Sequence, residues 1–389
     1  MNDKPKALFI TANYWNIPYR VGSHELAEQF VKNGWCVGFV SDPVSPIHIL
    51  KLNNKIIQDR FKLFLSGGKK YLDDNLWAYI SFTLIPPYNL PVLRSKFVFE
   101  NWQNFTTPNI YKKIKSAGFD NVDLLYFDNA LQSIWINKIK HRKSVFRIAD
   151  NYKGYAKYAD YTKTMEEKLA HNVDLILYTA RNLKNYIREI DVNKSFYFPN
   201  GVNFQNFAGG NKTEPDDLKN IPRPRIIYIG EMEIRFDFNI VKFAAKKLPE
   251  YSIVLIGNDI RAKKEFRGFS NVYVFGIKES KNLPAYLCNA DVGIIPFNIK
   301  TMGDLINYVN PIKIHQYFAC GLPVVSARWQ ELEDMSTKAL LYDNEEEFVS
   351  CLRKSITEPV DKQKLIDDAE KNDWKYRYNQ LIEYLGLDG

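Results

Sequence analysis

One short segment of the chain combines a cation, an amide and a well-delimited helix in an arrangement that could bind a diphosphate. In the string NPIKIHQYFACGLPVV, Asn310 suits the N-cap, Pro311 the first helical position and Gly321 the helix stop. Lys313 then lies in the first turn, where the helix dipole disfavours a cation unless an anion is bound nearby. Gln316 follows on the same helical face, where its amide could hydrogen-bond a ribose. Taken alone, these two side chains could equally be solvated surface residues.

A carboxylate that could serve as a base lies in VFRIADNYKGY, where Asp150 follows an apolar strand. Ligands of parallel α/β sheets bind at the carboxyl ends of the strands, so we expect Asp150 to face a binding site. Asp128 follows another strand, and Arg20 and His24 flank the start of the first helix. The alternatives are that Asp150 caps the next turn and that His24 is packed or solvated.

The elements that must position these residues alternate between strands and helices, which predicts parallel α/β sheets. In the first half, strands are predicted at 6–12, 35–41, 124–127, 145–148, 175–179 and 196–198, with helices around 26–31, 131–140, 162–170 and 181–189. In the second half, strands are predicted at 225–229, 252–256, 272–275, 292–296, 323–325 and 340–342, with helices at 239–247, 283–289, 312–320 and 345–356. Two last helices are predicted at 362–371 and 374–385.

The length of 389 residues suits two domains of this kind. We expect an N-terminal domain over residues 1–205 and a second domain over 206–361. The helices within 362–389 are expected to pack back on the N-terminal domain. The predicted class is α/β, with two Rossmann-like, doubly wound domains that face a central cleft.

Other sequence features favour a cytoplasmic protein without a metal or a cofactor. The N-terminus enters a strand at once and shows no export signal, and the apolar window 77–93 is interrupted by prolines. The four cysteines lack paired spacing, which favours neither a disulfide framework nor a zinc site. No Asp-x-Asp motif and no cluster with metal-ligand spacing occurs in the sequence.

The basic residues are concentrated in one part of the chain. The net charge is +8, and residues 48–115 hold eleven Lys and Arg against four acidic residues. There the charges alternate with aromatic residues and leucine, as on proteins that rest on an anionic membrane surface. An irregular insertion with solvated lysines is the alternative. Nucleic-acid binding is disfavoured, because no motif for it is present.

The ordered phrases of the second half resemble those of GT-B glycosyltransferases. They are PNGVNFQNF, IIYIGEME, YSIVLIGN, NVYVFGIK, LPAYLCNADVGIIPFN and NPIKIHQYFACGLPVV. Most retaining members carry two glutamates with seven residues between them, where this chain has Tyr308 and Gln316. The chain is most similar to GumK-type membrane-associated glucuronosyltransferases, although Ile277 stands where that family has a glutamate that contacts the nucleoside.

The resemblance implies a role for each candidate residue. Asp150 would be the catalytic base, because GumK-like enzymes place their aspartate after the run that here is Val145 to Arg147. The implied donor-binding residues are Gly230, Met232, Ile277, Phe297, Ile312, Lys313 and Gln316, and the implied acceptor-binding residues are Arg20, His24 and Asp128.

The predicted reaction is an inverting, metal-independent transfer from a UDP-sugar, with glucuronate as the sugar that the resemblance implies. The predicted acceptor is a lipid-linked saccharide or polysaccharide at the cytoplasmic face of the cell membrane. Three alternatives stay open: a retaining or differently specific hexosyltransferase, a catalytically silent UDP-binding scaffold, and a nucleic-acid-binding protein. A nucleotide-sugar epimerase shares the scaffold but has no need of the basic aromatic segment.

Overall fold

The computed structural model describes residues 4–151, 160–188 and 194–387. The chain divides into two compact units. The first unit consists of Met1–Pro199 and Tyr378–Gly389, and the second of Asn200–Arg377. Each unit is built around its own largely parallel sheet.

The described residues of the first unit form a nine-stranded sheet in the order β3-β4-β2-β1-β6-β7-β8-β9, with β5 paired to β4. Strands β3 and β5 run antiparallel to β4, and the other pairs are parallel. The strands are β1 Lys6–Thr11, β2 Cys36–Val44, β3 Lys69–Tyr71, β4 Leu76–Thr83, β5 Thr106–Thr107, β6 Asn121–Phe127, β7 Lys140–Ile148, β8 Leu175–Tyr178 and β9 Ser195–Tyr197.

The helices of this unit connect successive strands. They are α1 Gly22–Lys32, α2 Pro46–Ile49, α3 Lys55–Leu65, α4 Lys96–Asn101, α5 Ile110–Ser116, α6 Asp160–Asn172 and α7 Leu183–Arg188. The segment Ala130–Asn137, predicted as an α-helix, is a kinked 3-10 segment instead, with a non-helical residue at Gln132.

The basic segment 48–115 contains regular secondary structure and is not an irregular insertion of solvated lysines. Its residues Leu76–Thr83 form β4, which pairs in parallel with β2 over Val37 to Val44. Tyr79 and Ile80 in this strand are fully buried. The continuous apolar run LWAYISFT is typical of a parallel strand that is covered on both faces. Part of the segment therefore belongs to the central sheet.

The second unit has a six-stranded parallel sheet in the order β12-β11-β10-β13-β14-β15. The strands are β10 Arg225–Ile229, β11 Ser252–Ile256, β12 Val272–Phe275, β13 Val292–Ile295, β14 Val324–Ala327 and β15 Leu340–Tyr342. The helices are α8 Phe204–Ala208, α9 Asp216–Lys219, α10 Phe238–Lys247, α11 Asp259–Glu265, α12 Leu283–Cys288, α13 Ile299–Ile306, α14 Ile312–Ala319, α15 Gln330–Asp334, α16 Glu345–Thr357 and α17 Lys362–Glu370. The last helix, α18 Trp374–Leu385, begins in this unit and continues into the first.

The strand order of the second unit reverses direction between β10 and β13. From β10 the chain first adds β11 and β12 on one side, then returns to add β13, β14 and β15 on the other. The crevice at such a reversal, outside the carboxyl ends of the strands, is where open parallel sheets bind ligands. The residues that follow β10 and β13 therefore form the first place to search for a site.

Two predicted domain limits need correction. The units divide between Pro199 and Asn200 rather than at residue 205. Helix α17 packs on α14 and α8 and so belongs to the second unit. Of the predicted C-terminal helices, only the part from Tyr378 onward belongs to the first unit. There the Tyr378 hydroxyl accepts a 3.0 Å hydrogen bond from the Trp35 indole. The apolar face of α17 is covered within its own unit, because Leu365 and Ala369 are buried there.

Across the described parts of the chain, no helix combines the length and the hydrophobicity that a bilayer crossing requires.

Candidate functional site

Two glycine turns meet at the carboxyl edge of the second sheet. Gly230 follows β10 and Gly257 follows β11, with φ of 151° and 158°. A Cβ atom on Gly257 would lie 1.9 Å from the Gly230 carbonyl oxygen. The Gly230 amide donates a 2.9 Å hydrogen bond to the Ile256 carbonyl. Only glycine allows the two backbones to approach this closely.

The Lys313 side chain lies against the first of these turns. A Cβ atom on Gly230 would be 2.4 Å from Lys313 Cε and 2.9 Å from its Nζ. The ammonium lies 5.7 Å from the Tyr228 ring centroid and 6.0 Å from that of Phe297. Gly230, Phe297 and Lys313, which span 83 residues of sequence, therefore lie close together in the fold.

The environment of Lys313 lacks a compensating anion. Burial, and then the positive charge of Arg235, lower the pKa of Lys313 to about 8, although Glu231 acts in the opposite direction. Among the described residues, the ammonium forms neither a hydrogen bond nor an ion pair. Contact with the faces of two aromatic rings offsets only part of the cost of removing the charge from water. An anionic ligand would supply the missing counter-charge.

The loops after β10 and β13 are fastened to each other. The Asp237 amide donates to the Pro296 carbonyl at 2.8 Å, and the Asn298 amide donates to the Arg235 carbonyl at 2.8 Å. Phe297, between these two bonds, stacks on Trp329 with 5.5 Å between centroids. The wall beside Lys313 is thus held by backbone hydrogen bonds as well as by aromatic packing.

Tyr317 connects the helix that carries Lys313 to the strand beneath it. Its buried hydroxyl accepts a 2.9 Å hydrogen bond from the Ile229 amide, one residue before Gly230. Its ring packs on Gly293 in β13, where a Cβ atom would come within 2.5 Å of it. Burial raises the pKa of Tyr317 well above its ordinary value, so the phenol stays protonated. One side chain therefore sets the distance from α14 to the turn at Gly230.

Helix α14 begins one residue later than predicted. Pro311 is its N-cap and carries no side-chain cap, and Asn310 lies before the helix. The Asn310 side chain accepts from the Asn200 amide at 2.9 Å and donates to the buried Glu331 at 2.8 Å. The predicted capping role of Asn310 is therefore wrong, because its amide is used to join three segments of the unit. The amide groups at the start of α14 are left without a side-chain cap.

The other predicted donor residues lie at different distances from this centre. Ile312 opens α14, and Gln316 lies one turn beyond Lys313, partly exposed and without a hydrogen bond to the described residues. Met232 is fully buried, close to Gly257. Ile277 is exposed and follows β12, the edge strand, which β11 separates from β10. Of these residues, Met232 lies against a glycine turn, Ile312 and Gln316 lie on the helix that carries Lys313, and Ile277 lies beyond the edge strand.

In the first unit, Asp150 lies two residues beyond β7, at the carboxyl edge of the sheet. The turn that carries it is held by Thr179, whose amide donates to the Ile148 carbonyl at 3.2 Å and whose hydroxyl donates to the Ala149 carbonyl at 3.1 Å. The residues that follow Asn151, up to 159, lie outside the described part of the chain. Asp150 is partly exposed at the edge where it was expected.

Asp128 follows the neighbouring strand β6 and connects several segments. It accepts a 2.9 Å hydrogen bond from the Ala12 amide and one from the Ser23 hydroxyl. Burial raises the pKa of Asp128, while the hydrogen bonds and the nearby Arg147 oppose that rise. Its two oxygens are thus used to fix the loop after β1 and the start of α1.

His24 is fully buried and both of its ring nitrogens are occupied. Nδ1 accepts from the Val21 amide at 3.4 Å, so Nε2 carries the hydrogen that is shared with the Tyr14 carbonyl at 3.0 Å. Burial lowers the pKa of His24 to about 4, so the ring is neutral at physiological pH. This placement favours a packing role, and direct acceptor contact by His24 stays a prediction that the geometry does not support.

Arg20 is held in place by acidic residues of α1. Its guanidinium forms ion pairs of 2.6 Å with Glu25 and 2.7 Å with Glu28, and it lies over the Trp15 ring. The side chain is partly exposed. These ion pairs fix the orientation of the guanidinium. It could therefore bind a polar group with little further loss of side-chain conformational entropy.

One carboxylate at this edge was missed by the sequence argument. Asp42, near the end of β2, accepts 2.8 Å hydrogen bonds from Asn129 Nδ2 on both oxygens and a 3.0 Å bond from Gln132 Nε2. Burial raises the pKa of Asp42 to about 7, with a smaller contribution from Asp128. The sequence offers no signal for it, because its partners lie almost ninety residues away.

Within the described ranges, no three or more His, Cys, Asp or Glu side chains lie close enough together to hold a metal ion.

Comparison with known proteins agrees with this architecture. Residues 9–179 match the model of the glucuronosyltransferase GumK N-terminal domain, and residues 223–358 match the model of glycosyl transferases group 1. The chain has the GT-B fold, and each of its two units matches a glycosyltransferase model. The predicted fold class and the predicted resemblance are confirmed.

Individual relatives are more distant. TuaH of Bacillus subtilis, named as a teichuronic acid biosynthesis glycosyltransferase, is 26% identical over 202 residues, which are 48% of this chain and 50% of TuaH. The chain thus spans about half the length of this curated relative. The sucrose-phosphate synthase of Thermosynechococcus elongatus has a TM-score of 0.68 at 15% identity, with 98% of each chain covered. Anabaena HepE in complex with UDP and glucose has a TM-score of 0.65 at 12% identity and covers 99% and 100% of the two chains. These two structural likenesses establish the fold alone.

The link from Tyr317 to Ile229 can be tested by removing one hydroxyl. Tyr317→Phe leaves the buried Ile229 amide without an acceptor, which we expect to cost about 1–3 kcal/mol of unfolding free energy. Urea unfolding monitored by circular dichroism measures the change. Tyr308→Phe is the matched control, because the Tyr308 hydroxyl forms no hydrogen bond with the described residues. Equal stability of the two variants would contradict the assigned link.

Proposed function

We propose that this GT-B glycosyltransferase moves a sugar from a UDP-sugar to a hydroxyl of a cell-surface saccharide. The observation that carries the proposal is Lys313, a half-buried cation without a counter-ion beside the uncapped start of α14. Backbone amides at a helix start and a lysine together favour a diphosphate. HepE, which shares the fold, is described in complex with UDP and glucose, and this supports uracil as the base.

A ligand panel tests the donor class. UDP and UDP-sugars should raise the thermal unfolding temperature of the purified protein, because a ligand that binds only the folded state stabilises it. GDP-sugars and an RNA oligonucleotide should have little effect. Protection by the oligonucleotide without protection by UDP would contradict the proposed donor and favour a nucleic-acid-binding protein.

The lowered pKa of Lys313 predicts how UDP affinity depends on pH. The ammonium carries the positive charge below its pKa of about 8 and loses it above. UDP affinity should therefore fall about tenfold between pH 7.5 and 9.5, since neutral Lys313 offers no counter-charge. Isothermal titration calorimetry measures the dissociation constant at each pH.

Lys313→Arg is the matched control, because arginine stays charged over this pH range. Its affinity for UDP should be independent of pH, whatever its absolute value. If the variant and the original protein show the same pH profile, then Lys313 does not hold the diphosphate.

For the chemical step we propose Asp150 as the base. It would take the proton of the acceptor hydroxyl as that oxygen attacks the anomeric carbon, while the bond to UDP breaks and Lys313 balances the charge that develops on the leaving diphosphate. This one-step transfer inverts the anomeric centre. The presence of Tyr308 and Gln316, where most retaining relatives have glutamates, supports inversion.

Removing the base separates catalysis from binding. Asp150→Asn should lower kcat by about 10²–10⁴-fold and leave UDP affinity nearly unchanged. Asp73→Asn, which alters an exposed carboxylate of the same unit, is the control and should retain the activity. Transfer is followed by UDP release, and the anomeric configuration of the product by proton NMR. Undiminished turnover of Asp150→Asn would remove it as the base, and a retained configuration would support the hexosyltransferase alternative.

The finer substrate assignments also belong to this proposal. The match to the glucuronosyltransferase GumK model supports glucuronate as the sugar. A lipid-linked saccharide as the acceptor is proposed from the family resemblance of the sequence. The name of TuaH points to cell-surface polysaccharide synthesis. Ile277, in place of the expected glutamate, removes one nucleoside contact and leaves the other donor residues to hold UDP.

We further propose that the first unit rests on the inner face of the cell membrane. Leu50 and Val92 expose 86% and 81% of their surface in segments that follow β2 and β4. These segments are joined by a 3.0 Å hydrogen bond between the Tyr88 hydroxyl and His48 Nε2. Exposed basic residues flank the apolar side chains: Lys51, Lys55, Arg94 and Lys96. Apolar insertion beside basic residues is the combination that binds an anionic bilayer.

Vesicle flotation tests the membrane surface. The protein should float with anionic phosphatidylglycerol vesicles, less with neutral vesicles, and less at high salt. The double variant Leu50→Ser/Val92→Ser should lose most of the bound fraction. Ile260→Ser is the matched control, because Ile260 is 80% exposed but lies in the second unit. Equal flotation of all three proteins would contradict this surface as the contact.

A further inference from the structure

Two of the four cysteines meet in the second unit, far apart in sequence. Cys288 is the last residue of α12, and Cys320 is the C-cap of α14. Both are free and partly exposed, and both line one recess of about 270 Å³. Their thiols interact directly with each other, and the Cys320 thiol also lies 3.5 Å from the Phe207 carbonyl oxygen. Neither cysteine is near Lys313, because the recess opens at the amino ends of the strands.

The surroundings of the pair shift the pKa values of the two thiols in opposite directions. The thiol of Cys320, which donates to Cys288, lowers the pKa of Cys288 to about 7, and the charges of Lys212 and Lys362 act in the same direction. The same contact, together with burial, raises the pKa of Cys320. At neutral pH, Cys288 is therefore thiolate in a large fraction of molecules, whereas Cys320 remains a thiol. The thiolate is the nucleophilic form.

The recess is built so that this pair can be reached from solvent. Its walls come from the start of β10, the end of α12 and the start of β14, with Arg223 and Lys362 among the lining residues. Lys362 packs against Gly321, where an added Cβ atom would be 3.2 Å from Lys362 Cβ. Gly321 has a φ of 66°, so the turn after Cys320 keeps this shape only with glycine.

We propose that Cys288 and Cys320 form a redox-active pair that a hydroperoxide oxidises to a disulfide. The Cys288 thiolate attacks one oxygen of the peroxide, the O–O bond breaks, and sulfenic acid forms on Cys288 with release of water or alcohol after protonation. The Cys320 sulfur then attacks the Cys288 sulfur, the S–O bond breaks and water leaves. The two thiols lose two electrons in total, which reduce the peroxide, and a dithiol reductant reverses the reaction.

The other two cysteines provide an internal contrast. Burial and the Glu347 charge raise the pKa of Cys351, so its sulfur is protonated and less reactive at neutral pH. Neither Cys36 nor Cys351 interacts with another thiol among the described residues. The variant Cys36→Ser/Cys351→Ser therefore isolates the pair in an otherwise unchanged folded protein.

The experiment treats this double variant with a small excess of hydrogen peroxide at pH 7 and follows it by mass spectrometry. We expect the folded protein to lose two hydrogen atoms and to give one cross-linked peptide that contains Cys288 and Cys320, with recovery of the thiols by dithiothreitol. Further replacement of Cys320 by Ser should leave sulfenic acid on Cys288, which dimedone traps. Replacement of Cys288 by Ser should slow the reaction of Cys320 at least tenfold.

Two results would overturn the pairing. In the first, the folded Cys36→Ser/Cys351→Ser variant keeps both thiols after peroxide treatment, whereas the same variant unfolded in urea is oxidised. The other concerns the two variants that keep one cysteine of the pair. If dimedone labels Cys320 in the variant without Cys288 as fast as it labels Cys288 in the variant without Cys320, the two sulfurs do not differ in reactivity. Because neither measurement involves UDP or transfer, the outcome is independent of the proposed function.

Discussion

The central constraint in the second unit is a half-buried ammonium that forms no ion pair with a described residue. Lys313 lies between the Tyr228 and Phe297 rings and against Gly230, and this burial lowers its pKa to about 8. Such a placement costs stability in the free protein, since the charged form loses hydration that no carboxylate replaces. An anion bound beside Lys313, as in the proposed function, would offset this cost, so the free energy of the charged lysine favours the bound state over the free one.

Several features of the fold are consequences of keeping that lysine in place. A side chain at Gly230 would occupy the volume of the Lys313 Cε atom, and one at Gly257 would collide with the Gly230 carbonyl. Tyr317 fixes the helix of Lys313 to β10, and its ring requires glycine at 293. Three glycines, two in the turns after β10 and β11 and one within β13, thus serve one interaction. The signal was present in the sequence as IGE, IGN and VGII, but only the strand order shows that the three act together.

The sequence predicted the second unit better than the first for physical reasons. Strands β10, β11, β12 and β15 were predicted to the residue. Each is a short, mostly apolar run, and β10, β11 and β12 are also followed directly by glycine. Strand β4 was missed, because its apolar run lies inside a basic segment and its partner β2 precedes it by some forty residues. Pairing between distant segments leaves no local pattern, and the same limit hid the contact of Cys288 with Cys320. Asp42 was missed for this reason too.

The carboxylates of the first unit can be ranked by what their oxygens already do. Asp128 is engaged by Ala12 and Ser23, and Asp42 receives three hydrogen bonds from two amide side chains. Each holds parts of the sheet edge together, and protonation of Asp42 near neutral pH would not free an oxygen for an acceptor. A base needs a lone pair within reach of a hydroxyl that arrives from solvent. Asp150 lies on a turn beyond its strand that Thr179 supports through the backbone, so a change at this side chain leaves the hydrogen bonds of Asp128 and Asp42, on which the edge depends, in place.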